Sequence, residues 1–175
     1  FVHPRFGGAA GAVLCDRPEV GRYEAMPDHP ITAAVVRTIA GIDLDKNEAR
    51  LVVLAGHAHD LDLVETRVVR IGLADPKDQQ EVRDLQAAFQ AFFDEYAVDA
   101  VAIRERLSKG RMKGGTITFK LEGLIQLCRQ PVTLIPPATI RKALSKANID
   151  FAELPIAKFQ YEAYGAAYTL LTLTV

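Results

Sequence analysis

The chain of 175 residues has only two cysteines, Cys15 and Cys128, in unrelated contexts and with no ligand-spaced pairing. That leaves no basis for a disulfide framework and points to a reducing, cytoplasmic compartment. No apolar run approaches the roughly 20 residues that a bilayer crossing needs. No charge of one sign dominates either: 21 Lys and Arg stand against 22 Asp and Glu, for a net charge of -1. Any contact with nucleic acid must therefore come from a local patch. No positively charged stretch leads into an apolar segment and a cleavage site, which argues against a secretory signal. Neither GxxxxGK[ST] nor GxGxxG follows a strand-like run, which disfavours a nucleotide cradle of either kind. Internal repeats and low-complexity tracts are missing too.

Residues 1 to about 34 hold Gly7, Gly8, Gly11, Pro4, Pro18, Pro27 and Pro30 without a sustained period, and read as a loosely ordered arm. The chain starts on Phe1 without a Met and stops in an apolar run from Tyr168 to Val175. Both ends suggest a fragment, or a reading frame extended upstream of a start at Met26. The domain is expected from Val35 onward.

Within it, Thr38–Asp45 reads as a short strand, Asp45-Lys46-Asn47 as a turn and Glu48–Gly56 as a second strand. Leu63–Leu73 alternates as a third, so these strands form an antiparallel meander. Asp75-Pro76 supplies an N-cap and first-turn proline. Val82, Leu85, Phe89, Phe92 and Tyr96 then recur at helical spacing. The unbroken run Ala100–Ile103 reads as a strand buried on both faces, as in a parallel sheet. Thr116–Arg129 is a second helix with Ile117, Leu121, Leu124, Ile125 and Cys128 as its inner stripe. Val132–Ile135 is a fifth strand, Ala138–Ala147 a short helix after Pro136-Pro137, and Ala157–Leu171 the last helix. The order is β-β-β-α-β-α-β-α: an α/β domain with a five-stranded mixed sheet and helices on both faces.

Acids fall at telling places in that order. Asp43 lies inside the first strand, where an ionised carboxylate is costly unless paired or bound to a metal. The alternative, an acid entering the turn, suits Asp45 better. Glu105 ends the Ala100 strand and opens a glycine-hinged loop with Arg104, Arg106, Lys109, Arg111 and Lys113 around it. Ligands of open α/β sheets bind beyond such strand ends. Adjacent strands lie about 4.8 Å apart, so two acids at matching heights could share a cation. Glu105 reads equally as a partner of Arg104 or Arg106. Glu162 sits in E-A-Y-G-A-A-Y, whose small residues let the helix approach another element closely. It reads as a third ligand or as an exposed helical acid. Glu122 borders the apolar stripe of the second helix and reads as a support or as structural.

Three converging acids suffice for Mg²⁺, which favours carboxylates and completes its shell with water and substrate phosphate. Two such ions some 3.5–4 Å apart can clamp the attacking water and leaving oxygen of phosphodiester hydrolysis. The loop cations, with Lys120, Arg141, Lys142 and Lys146, would position backbone phosphates without reading sequence. Met112 at the loop tip could wedge against a base. Gly56-His57-Ala58-His59-Asp60 offers two His at i and i+2, a zinc-like pair without a third ligand cluster; a polar hairpin explains it as well.

Taken together, G-I-D in the first strand, V-A-I-R-E-R before a loop and helix, P-A-T-I-R-K-A-L and E-A-Y-G-A-A-Y resemble RuvC-like Holliday-junction resolvases over about residues 38 to 172. The pattern is also similar to a small bacterial family of uncharacterised proteins with a basic G-G loop, an F-K-x-E helix and a P-x-x-I segment. The resemblance implies a ribonuclease H-like fold. It implies Asp43, Glu105 and Glu162 as catalytic ligands of Mg²⁺ or Mn²⁺; Glu122 and Asp45, from their places in the chain, would support them from behind. It further implies a nucleic-acid substrate, branched DNA among them, and dimeric assembly. Two departures stand out: the final helix offers Gly165 where resolvases carry a second Asp, and the glycine-rich turn after the first-strand Asp is missing. A module that binds nucleic acid or a protein without cutting is the alternative. Actin-like ATPases share the fold but pair two such domains.

Overall fold

The computed structural model describes residues 36–57, 60–106 and 115–173. The N-terminal arm, His59 of the paired histidines, and the loop positions Lys109, Arg111, Met112 and Lys113 lie outside the described residues.

Strand β1 (Arg37–Asp45) turns through Lys46 and Asn47 into β2 (Glu48–His57), the expected hairpin. The expected third strand is two short ones, β3 (Asp60–Val64) and β4 (Arg70–Gly72), so the sheet has six strands rather than five. Both lie antiparallel on β2: β3 pairs with Val53–His57 and β4 with Glu48–Arg50. The alternation over 63–73 was legible, but the chain slips from one half of β2 to the other between them.

Helix α1 (Gln79–Glu95) begins three residues later than its Asp75-Pro76 signal suggests. Asp75 accepts from the Lys77 N–H at 2.8 Å, closing a turn of its own. Asp78 then caps the helix, accepting from the Gln80 N–H at 2.7 Å. Two Asp residues compete for two turns, and the one adjoining the apolar period wins the helix. Strand β5 (Ala100–Arg104), helix α2 (Thr116–Gln126), strand β6 (Val132–Ile135), helix α3 (Pro137–Ala147), a 3-10 turn at Lys158–Gln160 and helix α4 (Tyr161–Leu173) follow.

The order across the sheet is β3-β2-β1-β5-β6, with β5 parallel to β1 and β6 parallel to β5. β1 is thus central and covered on both faces, which is why its sequence is apolar almost throughout. Alternation divides it. Ala40, Ile42 and Leu44 join Leu85, Phe89, Phe93 and Leu121 of α1 and α2. Ile39 joins Ala163, Ala166 and Ala167 of α4. Gly41 lets α4 come that close: a Cβ there would stand 2.0 Å from the Ala163 carbonyl oxygen. On the helix's other side, a Cβ at Gly165 would stand 2.7 Å from Ile140 of α3. The small residues of α4 therefore permit close packing, as their spacing implied.

Candidate functional site

Asp43 follows Ile39 and Gly41 onto the α4 face near the carboxyl end of β1, and it is 3% exposed. The hairpin register sets Arg50 of β2 directly across from it. In the parallel direction Ile42 pairs with Ile103, so the next residue of β5, Arg104, arrives beside Asp43. Glu105 comes one position further on, and side chains alternate along a strand. Register thus delivers a guanidinium to Asp43 ahead of the expected second acid.

Three arginines surround the carboxylate. Arg106 Nη2 donates to Asp43 Oδ1 at 3.0 Å, and Arg104 Nη1 donates to the same oxygen at 3.4 Å. Arg50 Nη1 stands 3.9 Å from Oδ2. Arg50 is itself steered by Glu48, at 3.0 Å from its Nε, and by a close contact with Asp45. Burial pushes the Asp43 carboxyl above its usual range; Arg106, Arg104 and Arg50 oppose that and Glu162 reinforces it. Desolvation outweighs even three cations here.

Glu162, in the first turn of α4, places Oε2 2.9 Å from Arg104 Nε, so one guanidinium spans both acids. The approach is an ion pair rather than an aligned hydrogen bond, since Arg104 Nε has no hydrogen-bond partner. The buried Nε of Arg106 has none either. Gln160 sets where α4 begins. Its side-chain amide donates to the Leu51 carbonyl of β2 at 3.0 Å, and its Oε1 accepts from the Ala157 N–H at 3.0 Å.

Glu105 follows Arg104 past the end of β5. Its N–H donates to the Ile135 carbonyl of β6 at 2.9 Å. Burial raises the Glu122 carboxyl on α2, and the charge of Glu105 raises it further. Of the expected acids, Asp43 and Glu162 share one guanidinium, that of Arg104. Among the other expected residues, Asp45 holds Arg50, Lys120 donates to the Pro76 carbonyl, and Arg141 and Lys142 lie exposed on α3.

A divalent metal, which the fold resemblance implies, does not fit this arrangement. Among the described residues no group of three or more His, Cys, Asp or Glu is placed to hold one. Asp43 Oδ1 already accepts two guanidinium N–H groups, and Oδ2 faces a third cation. An ion there would meet three fixed like charges in a desolvated setting.

Arg50 and Gln160 escaped the sequence reading. Arg50 had a usable signal: a hairpin turning at Asp45–Glu48 forces Asp43 opposite Arg50. Gln160 had none, because K-F-Q-Y-E looks like any solvated helix start.

Solved structures that share this fold include two of RuvC. One is a Thermus thermophilus RuvC structure, at TM-score 0.59 and 19% identity, covering 75% of this chain and 92% of that one. The other is T. thermophilus RuvC in complex with a Holliday junction substrate, at TM-score 0.57 and 19% identity, covering 76% and 91%. The fold is accordingly ribonuclease H-like. No curated protein sequence matches the chain. No helix among the described residues is long and apolar enough to cross a membrane. The family model described as "Protein of unknown function (DUF3010)" matches residues 37–170, all six strands, three of the helices and most of α4, and the chain belongs to that family.

Proposed function

We propose that this domain engages nucleic acid, holding backbone phosphates across the carboxyl ends of β1 and β5. The observation that carries this reading is the convergence of Arg50, Arg104 and Arg106 at that sheet end. Guanidinium forks suit phosphate oxygens, and ligands of open α/β sheets bind at strand ends. Lys120 and the exposed Arg141 and Lys142, with Lys109, Arg111 and Lys113 of the loop outside the described residues, are the further basic residues this reading assigns to the phosphate backbone. The RuvC structure with a Holliday junction supports the same substrate class, branched DNA included. With Asp43 paired to arginine, the domain binds without cutting.

A second reading keeps hydrolysis, with Asp43, Glu105 and Glu162 as ligands of Mg²⁺ or Mn²⁺ in a cytoplasmic nuclease, alone or as a homodimer. It is favoured by Asp43 and Glu162 both reaching one guanidinium, that of Arg104. It requires the arginines to leave Asp43.

Binding and cleavage of a labelled panel separate the readings: four-way junction, duplex, single strand and RNA–DNA hybrid, each in EDTA, Mg²⁺ or Mn²⁺. Binding that survives EDTA, without cleavage, supports the first. Metal-dependent cutting lost in both Asp43→Asn and Glu105→Gln supports the second. Neither binding nor cutting overturns both.

A further inference from the structure

We infer that the guanidinium groups of Arg104 and Arg106 are the resident cations of Asp43, so that this site excludes a divalent metal instead of requiring one. The inference uses the same Arg104 and Arg106 as the proposed phosphate contact, but its test contains no nucleic acid, so the two can fail separately.

The arginines are built in by the fold rather than draped over it. Arg104 is the last residue of β5, and its backbone is held beside β1 by the Ile42–Ile103 pairing. Its Nη1 reaches Asp43 at 3.4 Å while its Nε stands 2.9 Å from Glu162. One guanidinium thus spans the two acids that a metal would need. Arg106 adds the shorter contact, 3.0 Å to the same Asp43 oxygen. Their side chains are 23% and 21% exposed, so both charges are largely removed from solvent screening. Glu105, the third expected ligand, follows Arg104 past the end of β5, where its N–H donates to the Ile135 carbonyl of β6.

The same geometry says what happens when an arginine is removed. Asp43 remains buried, now short of a counter-charge and beside Glu162, and takes another cation. The arginines, not a lack of carboxylate, keep metal away.

The test uses the full ¹⁵N-labelled chain and Mn²⁺ alone as the probe, read as paramagnetic broadening of the Asp43, Arg104 and Glu162 amides. Wild type is expected to show no saturable broadening there. Arg104→Gln and Arg106→Gln should each gain it, with affinity roughly tenfold tighter or more, the effect of removing one like charge beside a bound ion. The amide spectrum also reports whether each variant is folded. Arg106→Met, which keeps the aliphatic stem packed, stands in if a Gln variant unfolds. Saturable broadening in wild type that Asp43→Asn removes would overturn the inference. Folded arginine variants that bind Mn²⁺ no better than wild type would overturn it equally.

Discussion

The two faces of the sheet are built from opposite materials. On one, α1 and α2 fill the space with bulk: Phe89, Phe93, Leu121 and Ile125 are fully buried against Ile42, Leu44 and Leu51. On the other, α4 lies almost directly on β1 through Gly41, Ala163 and Ala167. Among the described residues the first face buries no charged side chain. The second trades bulk for approach, and at its carboxyl end it closes over one buried acid and three arginines. Bulk gives stability that is indifferent to position, whereas close approach fixes distances. That is why the charged cluster belongs to the thin face.

The comparison can be broken most forcefully on the bulky side. Phe89→Ala should cost about 3–5 kcal/mol by leaving a cavity in the core. Urea unfolding should show this with an unchanged m-value, and a folded fraction selected at low temperature should keep the arrangement around Asp43.

On the thin face, Gly41→Ala should cost about 1–3 kcal/mol, because the new methyl meets backbone and α4 has to move. It should also part Glu162 from Arg104, which amide shift changes at both residues would report. A loss of stability without those changes would refute the idea that close packing sets the cluster.

The charged end sharpens the comparison through pH. Asp43 is raised above its usual range in the fold, so the folded state holds its proton more tightly than the unfolded state does. Its contribution to stability is present below the ordinary aspartate value and is lost as pH rises through the folded value. Arg106 is the largest opposing influence, so Arg106→Gln should push that window upward. We expect a loss of about 1–2 kcal/mol at pH 7 and a smaller one near pH 4, from thermal melts across pH. An equal loss at both pH values would mean that Arg106 acts by packing alone.

The smallest effect is expected at Glu162, whose side chain is 55% exposed. Glu162→Gln should change stability by under about 0.5 kcal/mol, and less in high salt.

Much of the fold was legible because it rests on local periods. The β1–β2 hairpin, the α1 stripe through Leu85, Phe89 and Phe92, and the doubly buried run of β5 all announce themselves over short windows. Places where neighbours compete were not legible: Asp75 against Asp78 for the helix cap, and β3 against β4 for the two halves of β2. Asp43 stood out as a buried acid needing a partner, and the structure agrees that it has one. The kind of partner was another matter. In sequence, Arg104 and Glu105 are neighbours and either could have faced Asp43.

Sequence alone determined the element order apart from the division of the third strand, the apolar core and the presence of a costly carboxylate in the central strand, since each follows from residue type and spacing along the chain. Only the tertiary structure decided what neutralises that carboxylate. The parallel register of β1 with β5 brings up Arg104, the hairpin register brings up Arg50, and the glycine-lined approach of α4 carries Glu162 to Arg104. A shift of one residue along a strand exchanges an arginine for a glutamate at the same point in space. That choice is made between strands some 60 residues apart in the chain, beyond the reach of any local pattern.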